Sequence, residues 1–268
     1  WLDDDNGQPS PADPVVGFVV EYEQVPCRTQ WVAMPGGPVD PVLAMARLTN
    51  GDIVAGGASP TPGGNAQVWR WNGTNWAPVG PALWLLAGSS VVRALAGLPN
   101  GDLVAGGVFT TAQGAATNHL ARWDGSSWSP LGAFPLFPQI QAVTSLLVTS
   151  TGDLIAGTGT NTYGAPVVRW DGATWSQLGA ALPGTPFPGM AYVMAFAELP
   201  NGDIVAGGAF LPPSGGVADL SVARWNGASW VSLGSSGGLR GYVYARAPAP
   251  NGALWIGGSL SNASTGAP

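Results

Sequence analysis

Hydrophobic and polar positions alternate in short stretches along this chain, and each stretch ends at a glycine turn. Residues 92–98 and 193–199 show the alternation, which is typical of half-buried β-strands. A turn that usually reads Asn-Gly-Asp follows, and then a short apolar run that closes on glycine. The turn glycines are Gly51, Gly101, Gly152, Gly202 and Gly252, which lie 50, 51, 50 and 50 residues apart. A fixed period of this size predicts an array of repeated structural units.

A second hairpin is predicted later in each of the four complete repeats, from the pattern Arg-Trp-Asp/Asn-Gly-x-x-Trp. The pattern occupies residues 70–76, 122–128, 169–175 and 224–230. Its Asn-Gly or Asp-Gly turn favours a tight hairpin, which brings the two tryptophans close together across the strands. Four short strands in each repeat make one blade of a β-propeller. The predicted fold class is therefore all-β, with four-stranded blades.

The repeat resembles the kelch pattern, in which a hydrophobic run, a double glycine, an aromatic residue and a tryptophan follow one another. The stretches 106–111 (Gly-Gly-Val-Phe-Thr-Thr) and 118–125 (Asn-His-Leu-Ala-Arg-Trp-Asp-Gly) also resemble repeats of large secreted or surface proteins of bacteria. The resemblance covers roughly residues 15–268. It implies a propeller fold like that of galactose oxidase and an extracellular or periplasmic bacterial location, and it says little about activity.

The repeat boundaries predict an acidic N-terminal leader over residues 1–14 and a propeller over residues 15–268. Four blades should occupy about residues 39–80, 90–132, 140–179 and 190–234. Residues 242–258 supply only two strands, and residues 15–33 match the missing two. We expect these segments to form a hybrid fifth blade that closes the ring without an open strand edge. The alternative is a trimmed chain whose native form carries further blades after Pro268.

Each complete repeat pairs an Asp in its first turn with an Arg before its first Trp. The expected ion pairs are Asp52–Arg70, Asp102–Arg122, Asp153–Arg169 and Asp203–Arg224. In the hybrid blade both partners are lost together, since Ala253 and Glu21 occupy the two positions. Stranding one partner of a fully buried pair costs about 3–5 kcal/mol, so the joint loss supports the hybrid blade. These pairs are expected to be structural.

Composition narrows the function classes. The net charge is −6, and all nine cationic residues are arginines. Such a surface matches nucleic acid poorly, because nucleic-acid binding depends on neutralising phosphates. The chain has no run of 18 apolar residues, so we expect no membrane span. The chain begins at Trp1, so we expect a processed product from which any signal peptide has been removed.

The residue types of this chain give little support for an enzyme function. A copper site like that of galactose oxidase needs several His and Tyr ligands and a Tyr-Cys link, but the chain has one His and one Cys. Glycosidases need two carboxylates across one cleft, whereas the Asp residues here lie mostly in repeat turns. The turn at 171–175 loosely resembles a sialidase Asp-box, which is structural even in sialidases. We therefore expect no enzyme activity.

The N-terminal acidic stretch offers the one metal-like pattern. Asp4, Asn6 and Asp13 fall at positions three, five and twelve of a calcium loop that resembles those of dockerins and EF-hands. Leu2 stands where the first ligand should be, and no helix pattern follows. Calcium at this loop competes with a simpler interpretation, a solvated acidic leader. No other cofactor is expected.

The predicted binding residues lie in apolar, Pro-rich loops opposite the Asn-Gly-Asp turns. Propellers hold such loops rigidly, and binding residues concentrate on loops. The candidates are Trp84, Leu85, Leu86, Phe109, Phe134, Phe137, Phe187 and Phe210. An exposed apolar patch favours a protein interface; the alternative is that these side chains fill the seams between blades.

Taken together, these patterns predict a non-catalytic extracellular propeller that serves as an interaction scaffold or structural subunit of a larger assembly. The alternative is a carbohydrate-binding or carbohydrate-cleaving propeller. A flat apolar loop surface would favour the first function, and a pocket lined by Trp and carboxylates would favour the second.

Overall fold

A computed structural model describes residues 36–38, 41–59, 61, 63–85, 88–134, 140–160, 164–183, 191–210, 222–232, 239–248 and 254–262. These residues form strands, turns and short loops, and no helix occurs among them. The all-β prediction is confirmed. The predicted closing segment at 15–33 and the candidate calcium ligands Asp4, Asn6 and Asp13 lie outside the described residues.

The strands, in chain order, are β1 (Val42–Arg47), β2 (Ile53–Gly57), β3 (Val68–Trp71), β4 (Trp76–Pro78), β5 (Leu83–Trp84), β6 (Val91–Gly97), β7 (Leu103–Val108), β8 (Thr111–Ala112), β9 (Ala115–Ala116), β10 (Leu120–Trp123), β11 (Trp128–Ser129), β12 (Ile140–Val148), β13 (Leu154–Thr160), β14 (Gly164–Ala165), β15 (Val167–Trp170), β16 (Trp175–Gln177), β17 (Leu182–Pro183), β18 (Ala191–Glu198), β19 (Ile204–Ala209), β20 (Val222–Trp225), β21 (Trp230–Ser232), β22 (Leu239–Pro248) and β23 (Leu254–Asn262).

Each complete repeat forms a four-stranded antiparallel unit. Unit 1 is β1-β2-β3-β4, unit 2 is β6-β7-β10-β11, unit 3 is β12-β13-β15-β16 and unit 4 is β18-β19-β20-β21. Units 3 and 4 join into one eight-stranded sheet because β13 also pairs with β18. The first strands β1, β6, β12, β18 and β22 lie side by side in sequence order. This succession of units around their first strands is the arrangement of a β-propeller.

A β-bulge interrupts the first strand of every unit and of the final hairpin. In unit 2 the register shifts between Val92 and Ala94, so Arg93 is left out of the ladder. The double glycine of the second strand lies opposite this bulge. A Cβ on Gly107 would come 2.0 Å from the carbonyl oxygen of Val91, so only glycine fits there. The residues at the bulged position are Leu43, Arg93, Thr144, Met194 and Tyr244.

The hydrophobic core lies between consecutive units. One cluster joins units 1 and 2, another joins units 2 and 3, and a third joins units 3 and 4. Between units 2 and 3, Val143 approaches so closely that its Cγ1 lies 2.5 Å from where a Cβ on Gly106 would be. The first glycine of the pair therefore permits close packing of the next unit.

At each interface between consecutive units, a tryptophan N–H donates a hydrogen bond to the preceding unit. The indole Nε1 of Trp128 donates to the carbonyl oxygen of Val79 in the preceding unit, at 3.1 Å. Equivalent bonds run from Trp175 to Leu131 and from Trp230 to Leu178, both at 2.7 Å. Because each donor is buried or half-buried, these bonds satisfy groups that would be costly to leave unpaired.

The two ends of the array differ from these interfaces. The indole Nε1 of Trp76 in unit 1 is buried without a hydrogen-bond partner. Met45 stands at the position of the buried Leu95, yet it is 45% exposed. At the other end, a Cβ on Gly257 would meet no atom within 4 Å. The contacts that join neighbouring units are thus absent at these three described positions.

Candidate functional site

Trp84 is the exposed aromatic residue among the predicted binding residues that the structure describes. It lies on β5, which pairs with β8 through Trp84 and Thr111, and its carbonyl oxygen accepts a hydrogen bond from the N–H of Thr110. Its side chain is 57% exposed, and the neighbouring Leu85 is half-buried. The short sheet β5-β8-β9 therefore presents Trp84 to solvent from a hydrogen-bonded backbone.

Phe109, Phe134 and Phe210 are all buried, which agrees with the alternative that they fill the seams between blades and not with an exposed binding surface. Phe109 belongs to the core between units 1 and 2, and Phe210 to that between units 3 and 4. Phe134 packs edge-on against Trp175 of unit 3, with ring centroids 4.9 Å apart. These side chains fill the seams because burying large rings between units stabilises the array. Leu86, Phe137 and Phe187 lie outside the described residues.

The structure places each turn aspartate beside the arginine of its own unit. Arg122 Nε lies 2.6 Å from Asp102 Oδ2, and the pairs in units 3 and 4 lie at 2.8 Å; the Asp52 carboxylate contacts Arg70 in the same way. The arginine side chains are 37–44% exposed. Because the arginine of each pair is part-exposed to water, the cost of about 3–5 kcal/mol for breaking a fully buried pair does not apply.

A groove of about 250 Å³ lies between units 2 and 3, at the end of the array that carries the Asn-Gly-Asp turns. Asp102 lies in it and accepts hydrogen bonds at Oδ2 from Arg122 Nε and from Asn100 Nδ2, both at 2.6 Å. Trp170 of unit 3 also lines the groove. The remaining lining residues are Leu98, Pro99, Leu131, Gly152 and Gly172. The groove thus combines an aromatic ring and apolar side chains with one carboxylate, one guanidinium and one amide.

The corresponding region between units 3 and 4 is built differently. Ser150 stands at the position of Pro99, and both its N–H and its hydroxyl donate to the carboxylate of Glu198 at 2.6 Å. In the groove between units 2 and 3 the position of Glu198 is occupied by Val148. A carboxylate of unit 4 therefore bonds to the first turn of unit 3, whereas the matching residue of unit 3 is apolar and cannot bond to Pro99 of unit 2 in this way.

The other described acidic groups on this end cap turns. Asp124 accepts hydrogen bonds from the N–H groups of Ser126 and Ser127 at 2.8 Å, and these bonds hold its pKa far below the usual range. The N–H groups of Thr174 and Ala173 lower the pKa of Asp171 in the same way. Such carboxylates stay ionised and are poorly suited to act as general acids.

Two further observations concern metals and membranes. Within the described residues, no group of three or more His, Cys, Asp or Glu side chains is placed to hold a metal ion. Burial lowers the pKa of His119, which is the only histidine of the chain. The described part of the chain also has no helix of the length and apolarity that a membrane span requires.

Comparison with known proteins gives a likeness of fold. No protein-family model and no curated protein matches the sequence. Among solved structures, a protein of unknown function from Dyadobacter fermentans has a TM-score of 0.50 and 15% identity, with 80% of this chain and 73% of that one covered. The extracellular domain of BT3049 from B. thetaiotaomicron has a TM-score of 0.49 and 16% identity, over 84% of this chain and 29% of that one. The WD40 β-propeller domain of Doa1 has a TM-score of 0.36 and 15% identity, over 81% and 90%.

Sequence reasoning missed the groove, although it identified two of its residues. Asp102 and Arg122 were expected to form an ion pair, which they do; that the pair also faces Trp170 of the next unit depends on how the units pack. The position of Glu198 differs in every complete repeat, where it is Arg47, Gly97, Val148 or Glu198. The sequence alone therefore does not single out one interface between units.

Proposed function

We propose that this chain is a non-catalytic extracellular propeller that binds carbohydrate. The observation that carries the proposal is the groove between units 2 and 3, where Trp170, Asp102 and Arg122 line one cavity. Sugars present hydroxyl groups on their edges and C–H groups on their faces. A site for them therefore needs polar side chains beside an aromatic or apolar wall, which is the general composition of small-ligand pockets.

A non-catalytic role fits the state of the carboxylates. Asp102 is engaged by Arg122 and Asn100, and Asp124 and Asp171 are held by turn N–H groups. Hydrolysis of a glycoside needs one carboxyl group that keeps its proton and a second across the cleft. The turn N–H groups hold the pKa of Asp124 and of Asp171 low, so neither carboxyl group is suited to keep the proton that cleavage requires, and binding without cleavage is the better-supported activity.

The experiment is a binding and turnover assay on the full chain. A panel of immobilised bacterial and algal polysaccharides is probed with the protein, and any bound polysaccharide is then checked for new reducing ends. We expect retention on at least one polysaccharide with no new reducing ends. Absence of retention on all of them would contradict carbohydrate binding, and the appearance of reducing ends would contradict the non-catalytic role.

A protein-interaction scaffold is the second candidate function, and the observation that favours it is Trp84. Exposed tryptophans on rigid backbone are enriched among residues that anchor protein interfaces. If the chain is a subunit of an assembly, Trp84→Ser should reduce its incorporation into the native complex. Tyr242→Ser, which changes another exposed aromatic residue, is the matched control. Equal incorporation of both variants would remove the support for this function.

The number of blades and the location belong to the same proposal. We propose five blades, with residues 15–33 beside residues 242–258. Closure of the ring would bring Met45 of unit 1 against Gly257, as Leu95 lies against Gly56, and would give Trp76 Nε1 an acceptor. The extracellular or periplasmic location rests on the resemblance of the repeat to secreted bacterial proteins. Calcium at Asp4, Asn6 and Asp13 stays a prediction for the N-terminal stretch.

A further inference from the structure

We propose that the groove between units 2 and 3 binds one neutral saccharide unit, and that Glu198 closes the equivalent groove between units 3 and 4. This inference rests on the proposed carbohydrate-binding function and names the site and the ligand class. It starts from the size of the groove. A volume of about 250 Å³ lies below the usual range for drug-sized ligands, so a single sugar ring fits better than a longer segment.

The charges in the groove favour a neutral sugar over an acidic one. Asp102 and Arg122 are 2.6 Å apart, so their opposite formal charges largely cancel for a ligand in the groove. Both contacts to Asp102 use Oδ2, and Oδ1 is the remaining acceptor on that carboxylate. The Arg122 side chain is 37% exposed, so its N–H groups can reach a ligand. An acceptor beside donors suits two neighbouring hydroxyl groups.

The walls complete the recognition. Trp170 offers an aromatic surface, and Leu98, Pro99 and Leu131 add apolar contacts. The C–H face of a pyranose ring is apolar and packs well on such surfaces, while its hydroxyl groups point sideways toward polar side chains. The groove is lined from two different units, so its geometry is fixed by the same interface that joins them.

Between units 3 and 4 the same frame is present, with Asp153, Arg169 and Trp225 at the matching positions. There Ser150 of unit 3 donates two hydrogen bonds to Glu198 of unit 4, at 2.6 Å each. Pro99, the counterpart of Ser150, has neither an N–H nor a hydroxyl to offer. The two regions keep the same ion pair and differ at four matching positions, where Leu98, Pro99, Asn100 and Val148 are replaced by Thr149, Ser150, Thr151 and Glu198. The ion pair of unit 3 therefore serves as a control for that of unit 2.

The test compares two substitutions that remove the same ion pair from different units. Arg122→Gln alters the open groove and Arg169→Gln alters the closed one. The probe is a mixture of the methyl glycosides of glucose, galactose, mannose and fucose, observed by saturation-transfer NMR on the full chain. We expect Arg122→Gln to weaken binding by about tenfold or more, and Arg169→Gln to leave it unchanged.

A second variant guards against loss of folding. Asn100→Thr introduces the residue that unit 3 carries naturally at this position, Thr151, and should also weaken the saturation-transfer signal. If the wild-type chain gives a signal that all three variants retain, or if Arg169→Gln weakens it as much as Arg122→Gln, the assignment of the groove is overturned while carbohydrate binding stands. If the wild-type chain gives no signal and is not retained on any polysaccharide, the proposed function itself fails.

Discussion

Units 1 and 2 have nearly the same internal structure and different surroundings. Both contain four antiparallel strands, a bulge in the first strand, an Asp–Arg ion pair and a pair of tilted tryptophans. Unit 2 donates the Trp128 N–H to Val79 of unit 1, whereas the Trp76 N–H of unit 1 has no partner. The repeat thus specifies the contacts inside a unit, while the contacts of its second-hairpin tryptophan depend on which unit precedes it.

Glycine substitutions at the interface between units 2 and 3 and at the end of the array should show the largest difference in stability. Gly106→Ala should lower the free energy of unfolding by about 2–3 kcal/mol, because the new Cβ would collide with Val143 in a packed core. Gly257→Ala meets open space among the described residues. If a fifth blade closes the ring, Gly257→Ala should cost nearly as much. Urea unfolding of both variants measures the two values, and a neutral Gly257→Ala would count against five blades.

Tryptophan-to-phenylalanine variants test whether the unpaired Trp76 N–H differs in its contribution to stability from the bonded Trp128 N–H. Trp128→Phe removes a buried hydrogen bond and leaves the Val79 carbonyl unpaired, which should cost about 1–2 kcal/mol. Trp76→Phe removes a donor that has no partner, so it should be neutral or slightly stabilising unless the closing blade provides an acceptor. Equal destabilisation of both variants in thermal unfolding would support the closing blade, and a stabilised Trp76→Phe would argue against it.

The ion pairs should behave alike in the two units, since each lies within one unit. Asp102→Ala and Asp52→Ala should each cost about 1 kcal/mol, because the arginine left behind is part-exposed and can be solvated. Chemical unfolding of both single variants and of the Asp102→Ala, Arg122→Ala double variant provides the check. A cost above about 3 kcal/mol would mean that the pair is effectively buried.

The smallest expected effect concerns the second turn, where unit 1 has Asn72 and unit 2 has Asp124. The N–H bonds depress the pKa of Asp124, so its stabilising contribution is present above the usual aspartate pKa of about 3.9 and is lost as the pH falls through the lower, folded-state value. Asp124→Asn keeps the turn acceptor and should flatten the acid side of the Tm-versus-pH curve. Asn72→Ala should lower Tm equally at all pH values.

The sequence predicted the parts of the molecule that depend on local patterns. The Gly101 turn, the Trp123–Trp128 hairpin and the Asp102–Arg122 pair all follow from residues within one repeat, and the structure contains them. The burial of Phe109 and Phe134 could not be predicted from the sequence, because an apolar residue in a loop can face solvent or the space between two units. The packing of a neighbouring unit decides between those environments, with unit 1 covering Phe109 and unit 3 covering Phe134. The loop sequence alone does not specify that packing.

The bulge in each first strand has a consequence for how this chain could diversify. A bulged residue is not held by ladder pairing, and the side chains of Leu43, Arg93 and Tyr244 are exposed. Thr144 differs, because its hydroxyl donates to the carbonyl oxygen of Val193 in unit 4. The chain places Leu43, Arg93, Thr144, Met194 and Tyr244 at this one position, so it tolerates aliphatic, cationic, hydroxyl, thioether and phenolic groups there. The three exposed positions, Leu43, Arg93 and Tyr244, form a natural set for a combinatorial library, because each can be randomised while the scaffold around it is kept.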